Sequence, residues 1–148
     1  MADIKKWRRR LPHVELVGSV YFSTFRLNEG ELSDFERAIV FEHLKSGDRR
    51  FYRLWAATVM PDHVHIIFKP NPEMELSSVM KGIKGVTARK INESRGTKGK
   101  IWQHESWDRV ILYEKELEEK LNYMYMNPVK RNLIRNPDDW QYWHCVLI

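Results

Sequence analysis

The strongest constraint in this sequence is a pair of apolar, β-branched runs, FYRLWAATVM (51–60) and HVHIIFKP (63–70), separated only by Pro61-Asp62. Two such runs around a pair of turn residues read as a tight antiparallel hairpin. Helical signals lie on both sides of it. Upstream, NEGELSDFERAIVFEHLKSGD opens with turn residues, offers Ser33 as an N-cap with Glu36 three positions later, and keeps a helical period until Gly47. Downstream, residues 74–95 place Leu76, Val79, Met80, Ile83, Val86 and Ile91 near helical spacing. That pattern is an amphipathic helix with a basic outer face, weakened at Gly82 and Gly85.

The remaining segments complete the pattern. VGSVYFSTFRL (17–27) alternates like a strand, GTKGK is a loop, and IWQHESWDRVIL holds one or two short strands. YEKELEEKLNYMYMN is a helix that should stop at Asn127, because Pro128 disfavours the α conformation before it. The order β-α-β-β-α-β-α points to an α+β fold, a ferredoxin-like sandwich in which helices pack on an antiparallel sheet. A single domain over 1–148 is expected, with a basic N-terminal arm (1–13) and an irregular aromatic C-terminal tail (136–148).

Composition narrows the class. With 43% hydrophobic and 30% charged residues among 148, the chain can build one core without help from disulfides. Its one cysteine, Cys145, excludes a disulfide framework and every multi-cysteine metal site, which fits a reducing compartment. Apolar stretches such as WAATVM fall far short of the roughly 18 residues of a membrane span, and MADIKKWRRRLPHVEL has no apolar h-region. The expected location is the cytoplasm, with work on the nucleoid. Charge is concentrated: Lys5, Lys6, Arg8, Arg9 and Arg10 against Asp3 give the first ten residues a net of +4. Seven cations against Glu93 give residues 81–100 a net of +6, on a chain whose total is only +5. Two basic patches on an acidic body suit a phosphate backbone, or equally a solvated helix face with a solubilising tail.

His63-Val64-His65 is the first feature that carries chemistry. Residues two apart on a strand share a face, so both imidazoles point one way and Val64 the other. The pair is either half of a divalent-metal site or two hydrogen-bonded histidines on a sheet face. In the last helix, Tyr113, Leu117, Leu121 and Met124 form the expected buried stripe, and Tyr123 and Asn127 lie within about 40° of each other along its edge. Tyr125 lies about 160° around from Tyr123, near the other edge of the stripe. Asn127 offers a neutral oxygen that would complete a site with His63 and His65 suited to Mg²⁺ or Mn²⁺. A tyrosine beside such a metal is a candidate nucleophile for phosphoryl transfer. The plainer alternatives are a helix-edge aromatic for Tyr123 and a helix-terminal residue for Asn127.

VMPDHVHIIFKP, KGIKGVTARKIN, IWQHESWDRV and YMYMNPVKRNLI occur in an order and spacing that resemble the single-tyrosine HUH transposases, in particular the REP-associated tyrosine transposase branch. The resemblance runs over roughly residues 14–143. It implies that His63, His65 and Asn127 bind the metal and that Tyr123, with Tyr125 as the minor alternative, attacks a scissile phosphate in single-stranded DNA folded into hairpins. A 5′-phosphotyrosine link and a free 3′-OH would follow, and that hydroxyl would later rejoin strands. Lys81, Lys84, Arg89 and Lys90 would line the DNA path, Lys84 and Arg89 foremost because they stand in the KG-x-TAR segment, while Arg8, Arg9 and Arg10 would grip a stem or groove. Trp102 and Gln103 would border the site, unless Trp102 belongs to the core, and Asp62 would be the turn residue or a partner orienting a histidine. Relatives among insertion-sequence transposases work as dimers, so a homodimer stands beside a monomer. Two other readings of the residues are a non-catalytic ferredoxin-like nucleic-acid-binding module and a metal-dependent hydrolase that does not use Tyr123.

Overall fold

The computed structural model describes residues 19–146. The hairpin forms as expected: β2 (Tyr52–Val59) and β3 (His63–Pro70) pair antiparallel from Tyr52↔Pro70 to Val59↔Val64, and the Met60 amide closes the turn on the His63 carbonyl at 2.8 Å. A bulge between Leu54 and Ala56 shifts the register by one residue. β1 (Tyr21–Arg26) takes the other side of β3, and β4 (Trp107–Val110) the other side of β1, both antiparallel. The sheet order is β4-β1-β3-β2-β5. Its first four strands interleave two β-α-β units, so each crossover skips one strand, as in the ferredoxin-like sandwich expected from the sequence.

Two helices cover one face of the sheet and a third covers the other. α1 (Asp34–Ser46) and α2 (Leu76–Arg95) bury Val40, Leu44, Val79, Ile83 and Ile91 against Phe25, Val64, Ile66 and Phe68. α3 (Glu114–Lys130) buries Leu117, Leu121 and Met124 against Phe22, Ala56, Ile67 and Ile111. Alternation along β3 feeds both cores, so its odd-numbered residues face α3 and its even-numbered ones face α1 and α2.

Local chemistry sets the helix ends. The Ser33 hydroxyl accepts from the Glu36 amide at 3.1 Å, and the Glu36 carboxylate accepts from the Ser33 amide at 2.8 Å, a complete capping box. The same carboxylate takes two bonds from Arg95 at the end of α2, at 2.5 and 3.0 Å. The Arg95 bond is the main reason that the Glu36 carboxyl titrates below its usual range. Gly96 then ends α2 in the left-handed conformation, at φ 68°.

Three expectations are corrected. α3 does not stop at Asn127 but continues through Pro128 to Lys130. Proline removes one amide near the helix end, where the Met124 carbonyl loses its partner, and the Arg131, Asn132 and Leu133 amides still close the last turns on Asn127, Val129 and Pro128. Tyr113 is not part of the buried stripe: it is the N-cap of α3 and 68% exposed. The tail is not irregular, since Pro137–Asp139 form a 3₁₀ turn and β5 (Trp143–Cys145) pairs with Ala56–Thr58 of β2. A three-residue edge strand is too short for hydropathy to reveal. The basic arm, with Arg8, Arg9 and Arg10, lies outside the described residues. Among the described residues no helix is long and apolar enough to cross a membrane.

Gly47 caps α1 beneath the ring of Tyr52, whose hydroxyl donates to the Leu44 carbonyl at 2.7 Å. A Cβ at Gly47 would overlap that hydroxyl and stand 2.6 Å from Cζ. Gly47→Ala should therefore lower the unfolding free energy by about 1–3 kcal/mol in urea titrations. The loss should shrink in a Tyr52→Leu background, and an equal loss in both backgrounds would show that the ring is not the obstacle.

Candidate active site

Because β3 is central, the side chains of His63 and His65 are almost completely buried between the sheet and α3. Their rings lie 4.7 Å apart, and Val64 is in the opposite core. Each imidazole is held through Nδ1. His63 Nδ1 is 2.7 Å from the Asp62 carboxylate, and Asp62 is itself paired with Arg131 at 3.3 Å. His65 Nδ1 is 2.7 Å from the hydroxyl of Thr24, its partner across β1 and β3, and its ring stacks on Phe22 at 5.3 Å.

Electrostatics keep both rings neutral. Burial holds His63 below its usual pKa although Asp62 pulls the other way. Burial, reinforced by the charges of His63, Arg26 and Lys120, pushes His65 down to about 3. Asp62 is pushed up by burial, but the hydrogen bond and charge of His63, with Arg131, hold it below its usual range. An ionised carboxylate only accepts, so the proton of neutral His63 sits on Nδ1 and its Nε2 carries a lone pair. His65 Nε2 is buried without a partner, and in the tautomer whose Nδ1 donates to the Thr24 hydroxyl it carries a lone pair as well.

α3 brings the remaining groups. The Asn127 amide stands 3.2 Å from His63 Nε2. One helical turn earlier, the Tyr123 ring meets the His65 ring edge-on at 5.4 Å and stays 43% exposed. Tyr125 points elsewhere, buried with its hydroxyl bonded to Asp138 and its ring 5.6 Å from Trp143. An open pocket of about 400 Å³ lies before Tyr123 and His65, walled also by Phe22, Thr24, Arg26, Trp107 and Lys120.

This donor set fits a small divalent cation. Two imidazole nitrogens and the Asn127 side-chain amide converge, one of those ring nitrogens is buried without a partner, and Mn²⁺ or Mg²⁺ accepts imidazole nitrogen with a neutral amide oxygen while keeping open positions. Among the described residues no group of three histidines, cysteines or carboxylates is placed to hold a metal ion by itself.

The basic residues of α2 separate into two groups. Lys81 and Lys84 line a groove of about 870 Å³ between α2 and the 99–108 segment. The Lys84 ammonium also donates to the carbonyls of Gln103 and His104 at 2.7 and 2.9 Å and to the Ser106 hydroxyl at 3.1 Å, which uses all three of its protons in this structure. Arg89 and Lys90 face α1, where their charges and burial depress His43, and Arg89 stands 3.9 Å from Glu93. Trp102 is core, bonded to Thr87 at 2.9 Å, while Gln103 is exposed and reaches the Leu27 carbonyl at 3.2 Å. Asp62 is both turn residue and histidine partner. Thr24, Arg26, Trp107, Lys120 and Arg131 escaped sequence reasoning. Lys120, one turn before Tyr123, and Arg131, one turn after Asn127, carried a local signal, whereas Thr24, Arg26 and Trp107 are brought in by strand pairing.

Comparison with known proteins gives one consistent likeness. The family model described as transposase IS200 like matches residues 31–114, which takes in both histidines and ends before Tyr123. A protein of Haemophilus influenzae, provisionally named a REP-associated tyrosine transposase, is 24% identical over 138 residues, or 84% of this chain and 78% of its own length. The REP-associated tyrosine transposase of Escherichia coli K12 is 30% identical over 94 residues, 63% of this chain and 54% of its length. A solved REP-associated tyrosine transposase bound to a REP hairpin superposes over 97% of this chain and 82% of its own, with a TM-score of 0.70 at 23% identity, which establishes the likeness of fold.

The buried histidines make a pH prediction. His65 folds with a pKa near 3 against an ordinary 6.5, so between those values the unfolded chain holds a proton that the folded chain lacks. The metal-free protein should lose stability as pH falls below 6.5, by up to about 1.4 kcal/mol per pH unit for this one group. Urea unfolding in EDTA at several pH values should give a shallower slope for His65→Gln; an unchanged slope would contradict the assignment.

Proposed function

The chain belongs to the IS200-like transposase family, and on that premise we propose that it cuts and rejoins single-stranded DNA at hairpin elements of the REP kind, with Tyr123 as nucleophile. The observation that carries the proposal is the placement of Tyr123 against His65, at the open mouth of a site where buried imidazole nitrogens and an amide converge. The names of the relatives, one of them bound to a REP hairpin, support this choice of substrate.

In this reading the Tyr123 oxygen bonds to the scissile phosphorus, and its proton leaves through the solvent-filled mouth. The bond from phosphorus to the 3′ oxygen breaks, and that oxygen takes up a proton as a free 3′-OH. A 5′-phosphotyrosine remains, which a 3′-OH can attack to restore a phosphodiester. One phosphate ester is exchanged for another, so no nucleotide triphosphate is consumed. His63, His65 and Asn127 would hold a divalent ion, Mg²⁺ or Mn²⁺, whose charge would stabilise the phosphate oxygens as negative charge builds.

The protein's own part is positioning. Asp62 and Arg131 fix the His63 ring, Thr24 and Phe22 fix His65, and Asn127 ties the helix that bears Tyr123 to the strand that bears the histidines. This limits the motion of the nucleophile relative to the site. Lys81 would meet DNA along the groove between α2 and the 99–108 segment, and Arg8, Arg9 and Arg10 would add backbone contacts. Lys84 serves the same surface by holding residues 103–106 in place.

Covalent trapping tests the proposal. Labelled oligonucleotides spanning hairpins beside the gene are incubated with the protein and Mn²⁺, Mg²⁺ or EDTA, then separated on a denaturing gel. The expected result is a metal-dependent adduct that disappears in Tyr123→Phe and survives in Tyr125→Phe. Binding without an adduct under any condition would leave a non-catalytic DNA-binding module. Metal-dependent cleavage that persists in Tyr123→Phe would instead assign the site to hydrolysis by water.

A further inference from the structure

Trp107 is the least explained aromatic residue near the site. It belongs to β4, an edge strand, and pairs with Thr24 of β1, so its indole projects toward α3 on the same face as Thr24 and His65. The fold does not bury it: the residue is 52% exposed, whereas Trp102 a few residues earlier is 4% exposed and fully used by the core. Its ring nevertheless has fixed neighbours. Phe22 meets it edge-on at 5.8 Å, and the Lys120 ammonium lies 5.6 Å from its centre and 5.1 Å from that of Phe22.

The position has three properties that single exposed aromatics rarely combine. Trp107 walls the same pocket as Tyr123 and His65. Two cations stand in that wall, Arg26 and Lys120, and among the described residues neither has a carboxylate partner. Phe22 behind the indole is itself stacked on His65, so the indole is braced from the catalytic side and keeps its open surface toward solvent. An indole of this exposure leaves apolar ring surface in water on which a base can stack, and flanking cations suit the phosphates on either side of a base.

We propose that Trp107, backed by Phe22 and flanked by Arg26 and Lys120, is a stacking subsite for one nucleobase of single-stranded DNA, next to the phosphate that faces Tyr123. The inference rests on the strand-transfer reading for its substrate class, but it assigns a separate role, that of holding one base unpaired and in line so that the neighbouring phosphate enters the pocket. A base in a duplex has both faces covered by its neighbours, so the subsite favours single strands whatever their sequence.

The test uses the full-length protein in EDTA and fluorescence anisotropy at fixed salt. One probe is a labelled thymidine oligomer of about twelve nucleotides, and the other an abasic oligomer of equal length and charge. The wild type should prefer the base-bearing probe by about tenfold or more. Trp107→Ala should lose most of that preference by weakening the thymidine probe alone, and Trp107→Phe should keep part of it. Trp107→Leu, with a larger apolar side chain, serves if the alanine variant melts early. Equal weakening of both probes, no change in either, or no base preference in the wild type would overturn the subsite. The two proposals fail separately: base preference that depends on Trp107 without any covalent adduct would sink only the tyrosine mechanism. An adduct with base preference indifferent to Trp107 would sink only the subsite.

Discussion

Two imidazoles on the central strand of a sheet covered on both faces stay uncharged, because burial leaves too little water around them to stabilise a proton. Much of the surrounding structure follows from that constraint. Each ring needs a partner for one nitrogen that does not compete for the other, and the fold supplies a carboxylate from the hairpin turn for His63 and a hydroxyl from the adjacent strand for His65. Arg131 in turn balances Asp62, so the negative charge that fixes His63 is not itself left unpaired at the rim. What remains is a pair of ring nitrogens aimed into the site, one of them without a partner, a chemical resource that a hydrophobic core would otherwise exclude.

The second constraint is the coupling of α3 to β3. Tyr123 and Asn127 lie one turn apart, so a single helix orientation sets both, and the stripe of Leu117, Leu121 and Met124 against Phe22 and Ile67 fixes that orientation. Core packing therefore acts directly on the geometry of the site. Pro128, immediately after Asn127, removes one backbone bond where the helix is already ending, so the fold tolerates it at little cost.

The parts legible in the sequence were those encoded by short-range periodicity. The hairpin, the Ser33–Glu36 cap, the shared face of His63 and His65, and the proximity of Tyr123 to Asn127 all depend on residues within a few positions of one another. Thr24 and Trp107 were out of reach because their roles depend on which strands become neighbours, a matter of topology and not of local pattern. Lys84 shows what charge alone leaves out. Its charge suggested a phosphate contact, but the 103–106 segment offered three acceptors within reach, and an internal partner nineteen residues away leaves no mark on hydropathy. Pro128 and the short β5 were misread because a general preference was outweighed by the tertiary setting.

The last strand has a consequence for the molecule in solution. β2 is eight residues long, apolar along most of its length, and without β5 it would form an edge of the sheet. Trp143–Cys145 occupy the stretch Ala56–Thr58, and the Val146 amide bonds to the Trp55 carbonyl at 3.0 Å, so the backbone groups most open to a foreign strand are already engaged. Long, unprotected apolar edges are where folded proteins begin to aggregate, and short edge strands are one way of blunting them. The aromatic tail thus works as a guard rail: without Trp143–Cys145 the Ala56–Thr58 stretch of β2 would be an unpaired edge.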